Sequence, residues 1–301
     1  MKNRPIRPHR GIRNSRADRV FYGVNGVLMA LTFLLYAWPL WFVLIASFSD
    51  PNLVQAGQVL LLPKGFHLGG YKLILEYQDI LRGYLNSILY TVVGTALNLV
   101  MTICAAYPLS RSDFLPRKVL TVLFVFTMYF SGGLIPLYLQ VKNLGLYNSP
   151  LAMIVPSAIS IYNVLILRSF FMYGVPKSLE EAALLDGANT AQMLWRVILP
   201  LVKPTLAVLV LYYGLAHWND WFAPMIYLQG APQKYPLQLI LRNMLIDNQM
   251  VDSASGGNDQ FLIFETMKYA VIVVSTLPML IFYPFVQKYF DKGVMVGSVK
   301  G

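Results

Sequence analysis

The chain has 301 residues, of which 56% are hydrophobic and 13% charged, with a mean hydropathy of +0.54. That is far from the roughly 25% charge of a soluble globular domain. A net charge of +10 would suit nucleic acid, but the basic N-terminal arm has neither interleaved aromatics nor a folded reader, so nucleic acid is excluded as a partner. The single cysteine, Cys104, excludes an internal disulfide and a thiolate metal cluster.

Residues 1–19 form a basic arm suited to anionic lipid headgroups. A first apolar stretch, 20–48, is too long for a cleaved signal peptide. It ends in Trp38-Pro39-Leu40-Trp41-Phe42 rather than at a small-residue cleavage site. Stretches 83–110, 119–141, 143–167 and 269–287 contain no Asp, Glu, Lys or Arg. Each approaches the ~20 residues that a helix needs to cross ~30 Å of hydrocarbon. A further stretch, 201–228, is interrupted late by Asp220 and Pro224. The expectation is an all-α, multi-pass membrane protein with six transmembrane helices. They form one domain over residues 20–291, followed by a tail over 292–301.

With six spans, one side of the membrane carries 17 of the 24 Lys and Arg residues. Translocation disfavours basic loops, which places that side, and both termini, in the cytoplasm. In the last outer loop, Leu237, Ile240, Leu241, Met244 and Leu245 recur at helical spacing. A short amphipathic helix follows, either a lid on the bundle or a docking surface for a partner outside.

Between the fourth and fifth stretches lies a segment with a soluble character, residues 177–200. Ser178 and Glu181 have capping-box spacing, and Glu180 and Glu181 place negative charge in a first helical turn. Gly187 suits a helix stop, and a second helix starts near Thr190. The pattern reads as helix, turn, helix, serving either as a plain connection or as a helix offered to a partner's groove.

Glu181-Ala182-Ala183, Gly187 after three residues, and Val197-x-Leu199-Pro200 after nine more resemble the EAA motif of ABC importer permeases, with Val197 for the usual Ile. The fuller "EEAALLDGA" is similar to the carbohydrate-uptake, maltose-type branch. The stretches "YFSGGLIPLYLQVKNLGLYNSPLAMIVP" and "PFVQKYFDKGVMVGSVKG" resemble its polysaccharide and oligosaccharide subgroup. The resemblance implies a permease subunit in a bacterial cell membrane, in which Glu180, Glu181, Ala182, Ala183, Asp186, Gly187, Leu199 and Pro200 couple to a separate ATPase. Glu181 would pair with a basic residue there, and the tail Gly297–Gly301 would reach the same interface. It implies further partners: a second, similar permease, two ATPase subunits that bind ATP and Mg, and a solute-binding protein outside. The chain itself lacks a G-x-x-x-x-G-K-[ST] phosphate loop, so no cofactor and no enzymatic activity are expected of it.

The stretch "YYGLAHWNDWFAP" is the densest polar and aromatic cluster within a span. On a continuous helix, Tyr213, His217 and Asp220 fall on one face and Trp218 and Trp221 on the next, with Asn219 beside them. An intramembrane carboxylate marks a functional site by default, and rings with hydroxyl partners suit a carbohydrate, an acidic oligosaccharide in that subgroup. The alternative places the two tryptophans in the outer aromatic belt. Asn86, Asn98 and Asn163 are weaker path residues, suited to interhelical hydrogen bonds. A different class of function, an ion-coupled secondary transporter, would use His217 and Asp220 as a proton relay.

Overall fold

The computed structural model describes residues 15–251, 267–284 and 287. The basic arm as far as Asn14, the outer segment 252–266 and the tail 292–301 lie outside the described residues, as does most of "PFVQKYFDKGVMVGSVKG". Among the described residues every regular element is helical. The chain divides into two compact units, residues 1–67 and 68–301.

The first unit holds α1 (Arg16–Ser47) and α2 (Pro51–Gln55). Helix α1 starts four residues before the expected span. Ser15 and Asp18 form a capping box that draws Arg16–Arg19 into its first turn. Pro39 lies inside the helix, and Val20, Leu28, Leu35 and Leu40 are all exposed, as expected of a face offered to lipid or to another chain. Beyond it, Asp50 caps α2 through the Asn52 amide, and its own amide donates to the Lys64 carbonyl.

In the second unit, α3 (Gly69–Glu76) leads into α4 (Gln78–Ser110), the longest helix among the described residues. The stretch 119–141 is not one continuous helix. It forms α5 (Arg117–Tyr129) and α6 (Leu134–Asn143), bent by 112°. Gly133 sits at the turn with φ +86°, a backbone region that side-chain-bearing residues rarely adopt. The fourth stretch is also broken, into α7 (Leu151–Ile154) and α8 (Ile161–Tyr173). Pro156 follows α7, and the Ser160 hydroxyl caps α8 at the Asn163 amide.

Helix α9 (Lys177–Leu185) and α10 (Thr190–Leu201) follow, then α11 (Lys203–Trp218), α12 (Phe222–Tyr227), α13 (Leu237–Val251) and α14 (Met267–Pro284). Within α10, Met193–Ile198 widen into a π-helix, in which the Leu199 amide reaches the Leu194 carbonyl. Pro200 accounts for it: its ring crowds the carbonyl four residues back, and π turns recur where such a clash is relieved. Helices α10 and α11 then meet at 82°. The fifth span is therefore shorter than expected. Its sixteen residues reach ~24 Å, against ~30 Å of hydrocarbon. Among the described residues, three helices are long and apolar enough to cross a membrane, or up to five if each bent pair counts as one span.

The main core joins α4, α8, α10 and α11 through Ala106, Leu109, Val164, Leu167, Ile198 and Leu209. A second cluster seats α13 on α3, α4 and α14, with Leu237 and Leu241 buried among Ile74, Ile80 and Val271. The apolar face of α13 is thus used within the chain, which favours the lid over the docking surface.

Candidate coupling surface and substrate path

The helix–turn–helix over 177–200 is built by local chemistry, though not by the expected capping box. The N-cap of α9 is Pro176, which places Ser178 and Glu181 inside the helix, where neither side chain meets a cap amide. Glu180 remains in the first turn. The turn closes at Gly187, φ +78°, with the Ala188 amide donating to the Ala183 carbonyl. Asn189 then starts α10 through a reciprocal pair with Gln192.

One side of this segment is anchored in the core: Met193, Ile198 and Leu199 are buried, and Ala183, Leu194 and Val197 pack against them. The other side is open. Glu181, Ala182, Asp186, Gly187 and Pro200 are exposed, and so are Leu184, Trp195 and Leu185, the last at 89%. Large apolar side chains left exposed beside acids suit a protein-binding site better than a solvated loop. The two neighbouring glutamates part company here. Glu180 turns inward to Arg111, whereas Glu181 points out.

The polar cluster near the end of α11 does not converge on one face. Tyr213 is buried, its hydroxyl 2.7 Å from that of Thr102. His217 lies against Gly94, where a Cβ would collide with the imidazole ring. The Asn98 amide nitrogen donates to the Ser157 carbonyl, so its oxygen is the acceptor for His217 Nε2–H at 2.6 Å. Thr102 with Tyr213 and Asn98 with His217 are two polar ties, one turn apart, between antiparallel α4 and α11. Asn86 likewise serves structure, donating to the Gln233 and Tyr235 carbonyls.

Helix α11 ends at Trp218, and this breaks the expected i, i+4, i+7 face. Exposed Asn219 is its C-cap. Asp220 leaves the helix, and its Oδ1 accepts from the Phe222 and Ala223 amides, both at 3.1 Å, to cap α12. Its carboxylate also borders a cavity of about 210 Å³ with Ser157 and Tyr227. Trp218 is buried, donating to the Ser275 carbonyl and meeting Tyr84 edge-on. Trp221 is exposed, with the Arg242 guanidinium 5.2 Å from its ring centre.

Between α4, α11 and α14 lies a crevice of about 400 Å³, lined by Thr91, Thr95, Gly214, Trp218 and Met279 among others. It is largely apolar, yet the buried hydroxyls of Thr91 and Thr95 have no hydrogen-bond partner. Sequence reasoning missed both threonines, because nothing in their spacing distinguishes them from threonines that bond to their own helix.

Residues 11–296 match the family described as the binding-protein-dependent transport system inner membrane component. The chain belongs to that family. Among similar proteins, the polygalacturonan/rhamnogalacturonan transport system permease protein YtcP of Bacillus subtilis (strain 168) is 38% identical over 292 residues, 96% of this permease and 100% of that protein. The arabinooligosaccharides transport system permease protein AraQ of the same organism is 28% identical over 273 residues, 89% and 92% of the two chains. A solved structure, a bacterial ABC transporter involved in the import of the acidic polysaccharide alginate, superposes with a TM-score of 0.84 at 35% identity. The match covers 92% of this permease and 99% of that chain. This permease is therefore a membrane subunit of an ABC importer, and neither its family nor these relatives support the ion-coupled alternative.

Proposed function

We propose that the chain is one half of the translocation path for an acidic oligosaccharide, driven by ATP hydrolysis on a partner subunit that docks on α9 and α10. The observation that carries this reading is the open side of that segment. Glu181, Leu184 and Leu185 face outward while Ile198 and Leu199 hold the segment to the bundle. In this arrangement Leu184 and Leu185 enter an apolar cleft, Glu181 meets a basic residue at its rim, and Gly187 gives the turn. Residues 177–200 and both termini face the cytoplasm, and the bent helices count among six spans over residues 20–291. ATP and Mg belong to two ATPase subunits and none to this chain.

The path runs beside the crevice of α4, α11 and α14, on the side that faces a second permease. Unpartnered Thr91 and Thr95 hydroxyls supply hydrogen bonds there. At the other end Trp221 offers a ring to stack on a sugar, and Arg242 beside it offers a cation to a uronate carboxylate. The relatives named for polygalacturonan/rhamnogalacturonan transport and for alginate import suggest the same substrate class. A solute-binding protein delivers it from outside.

Proteoliposomes carrying the complex and its binding protein test this reading with a labelled galacturonate oligomer and with its neutral, methyl-esterified form. ATP-dependent uptake of the acidic oligomer over the ester is expected. Uptake by the lone permease under a proton gradient, without ATP, would overturn it.

A further inference from the structure

Arg111 and Glu180 are 69 residues apart in sequence and in direct contact in the fold. Arg111 is the residue at which α4 stops, and Glu180 lies in the first turn of α9. Guanidinium Nη1 is 2.5 Å from carboxylate Oε2, and the two side chains are only 22% and 19% exposed. Nη2 donates to the Tyr107 hydroxyl at 3.1 Å, with the cation 4.7 Å from the Tyr107 ring centre. Around the same end of α4, Arg117 donates to the Arg111 carbonyl and Arg168 Nε to the Leu109 carbonyl. One helix end thus gathers α5, α8 and α9. The other ion pair among the described residues, Arg82 with Asp79, is an exposed pair within one helix and ties nothing together.

We propose that the Arg111–Glu180 pair is the tether through which displacement of α9 is passed to α4. It rests on the coupling role of α9 given above. Adjacent residues on a helix point about 100° apart, so Glu180 faces the bundle while Glu181 faces the partner. The inward glutamate transmits and the outward one receives. Helix α4 is suited to the receiving end, because it carries both polar ties to α11 and one wall of the crevice. A charge-assisted bond held at both ends resists shear better than apolar packing, which slides. Glu180 and Arg111 are positioning residues: they act through α4 and touch no substrate.

Cys104, the one cysteine of the chain, is exposed on α4 and reports on that helix. The complex extracted from its native membrane is labelled with a membrane-permeant maleimide, nucleotide-free and after trapping with ATP and vanadate. The labelling rate of the permease band is read in each state. In the wild-type complex the rate changes severalfold on trapping. In Glu180→Gln and Arg111→Gln the ratio between states falls to one while ATP hydrolysis continues, and in the exchanged pair Arg111→Glu/Glu180→Arg the difference returns. Should the single variants fail to assemble, Glu180→Asp, which keeps the charge but shortens the reach, is expected to shrink the ratio. An unchanged ratio in the variants, or no change on trapping in the wild-type complex, overturns the tether. Glu181→Lys separates the two readings. If it too leaves the trapping response intact, the coupling role of α9 falls as well. If it alone removes the response, only the tether falls.

Discussion

Asn98 is fully buried in α4, and one amide holds two other elements: its nitrogen binds the Ser157 carbonyl between α7 and α8, and its oxygen binds His217 of α11. Asn98→Leu keeps the size of the side chain and removes both bonds. Hydrogen bonds between membrane helices contribute on average about 0.6 kcal/mol and at most about 1.7 kcal/mol each. Losing two costs about 1–3 kcal/mol. In domains of about 150–250 residues each kcal/mol moves the unfolding midpoint by about 2–4 °C, so a fall of about 2–12 °C is expected in detergent, read by intrinsic fluorescence. His217→Leu removes the same imidazole bond. Added to Asn98→Leu it therefore costs less than it does alone, and the double-mutant cycle shows coupling. Additive effects, or an unchanged midpoint in Asn98→Leu, would refute the shared node.

Glu181→Lys should leave membrane insertion intact and abolish uptake while the ATPase still hydrolyses ATP; normal uptake would remove Glu181 from the docking face. Gly187→Val places a β-branched residue at φ +78°, at a cost of about 1–3 kcal/mol, and should reduce the ATPase recovered with the permease, whereas Gly187→Asn should largely retain it. Asp220→Asn keeps an oxygen for the Phe222 and Ala223 amides, so the fold should persist. Trp221→Ala, by contrast, should lower uptake of an acidic oligosaccharide; a fully active variant would assign Trp221 to the aromatic belt.

The sequence carried the composition of a membrane bundle, the helix–turn–helix over 177–200 and its stop at Gly187, because these depend on local backbone preference and on runs of apolar residues. It also marked Asn98 as an interhelical hydrogen bonder, since an amide in an apolar helix has few other partners. The bends were hidden. An uncharged stretch such as 119–141 looks continuous in hydropathy, whereas the turn at Gly133 depends on one residue's φ. The single face drawn through Tyr213, His217 and Asp220 assumed a helix that in fact ends at Trp218. Ser178 and Glu181 had the right spacing for a capping box but the wrong start, because Pro176 sets the first turn two residues earlier. The Arg111–Glu180 pair spans 69 residues, and no local pattern in one sequence records a contact at that distance.

The central claim is that the exposed side of α9 sits in an ATPase subunit. It is tested most directly by Glu181→Cys in a Cys104→Ala background, treated in native membranes with a short cysteine-to-lysine cross-linker. The account predicts an adduct whose second component is an ATPase by mass spectrometry, and no such adduct from Glu180→Cys, which faces the bundle. A complex that assembles and transports yet yields no ATPase adduct at position 181 would contradict it.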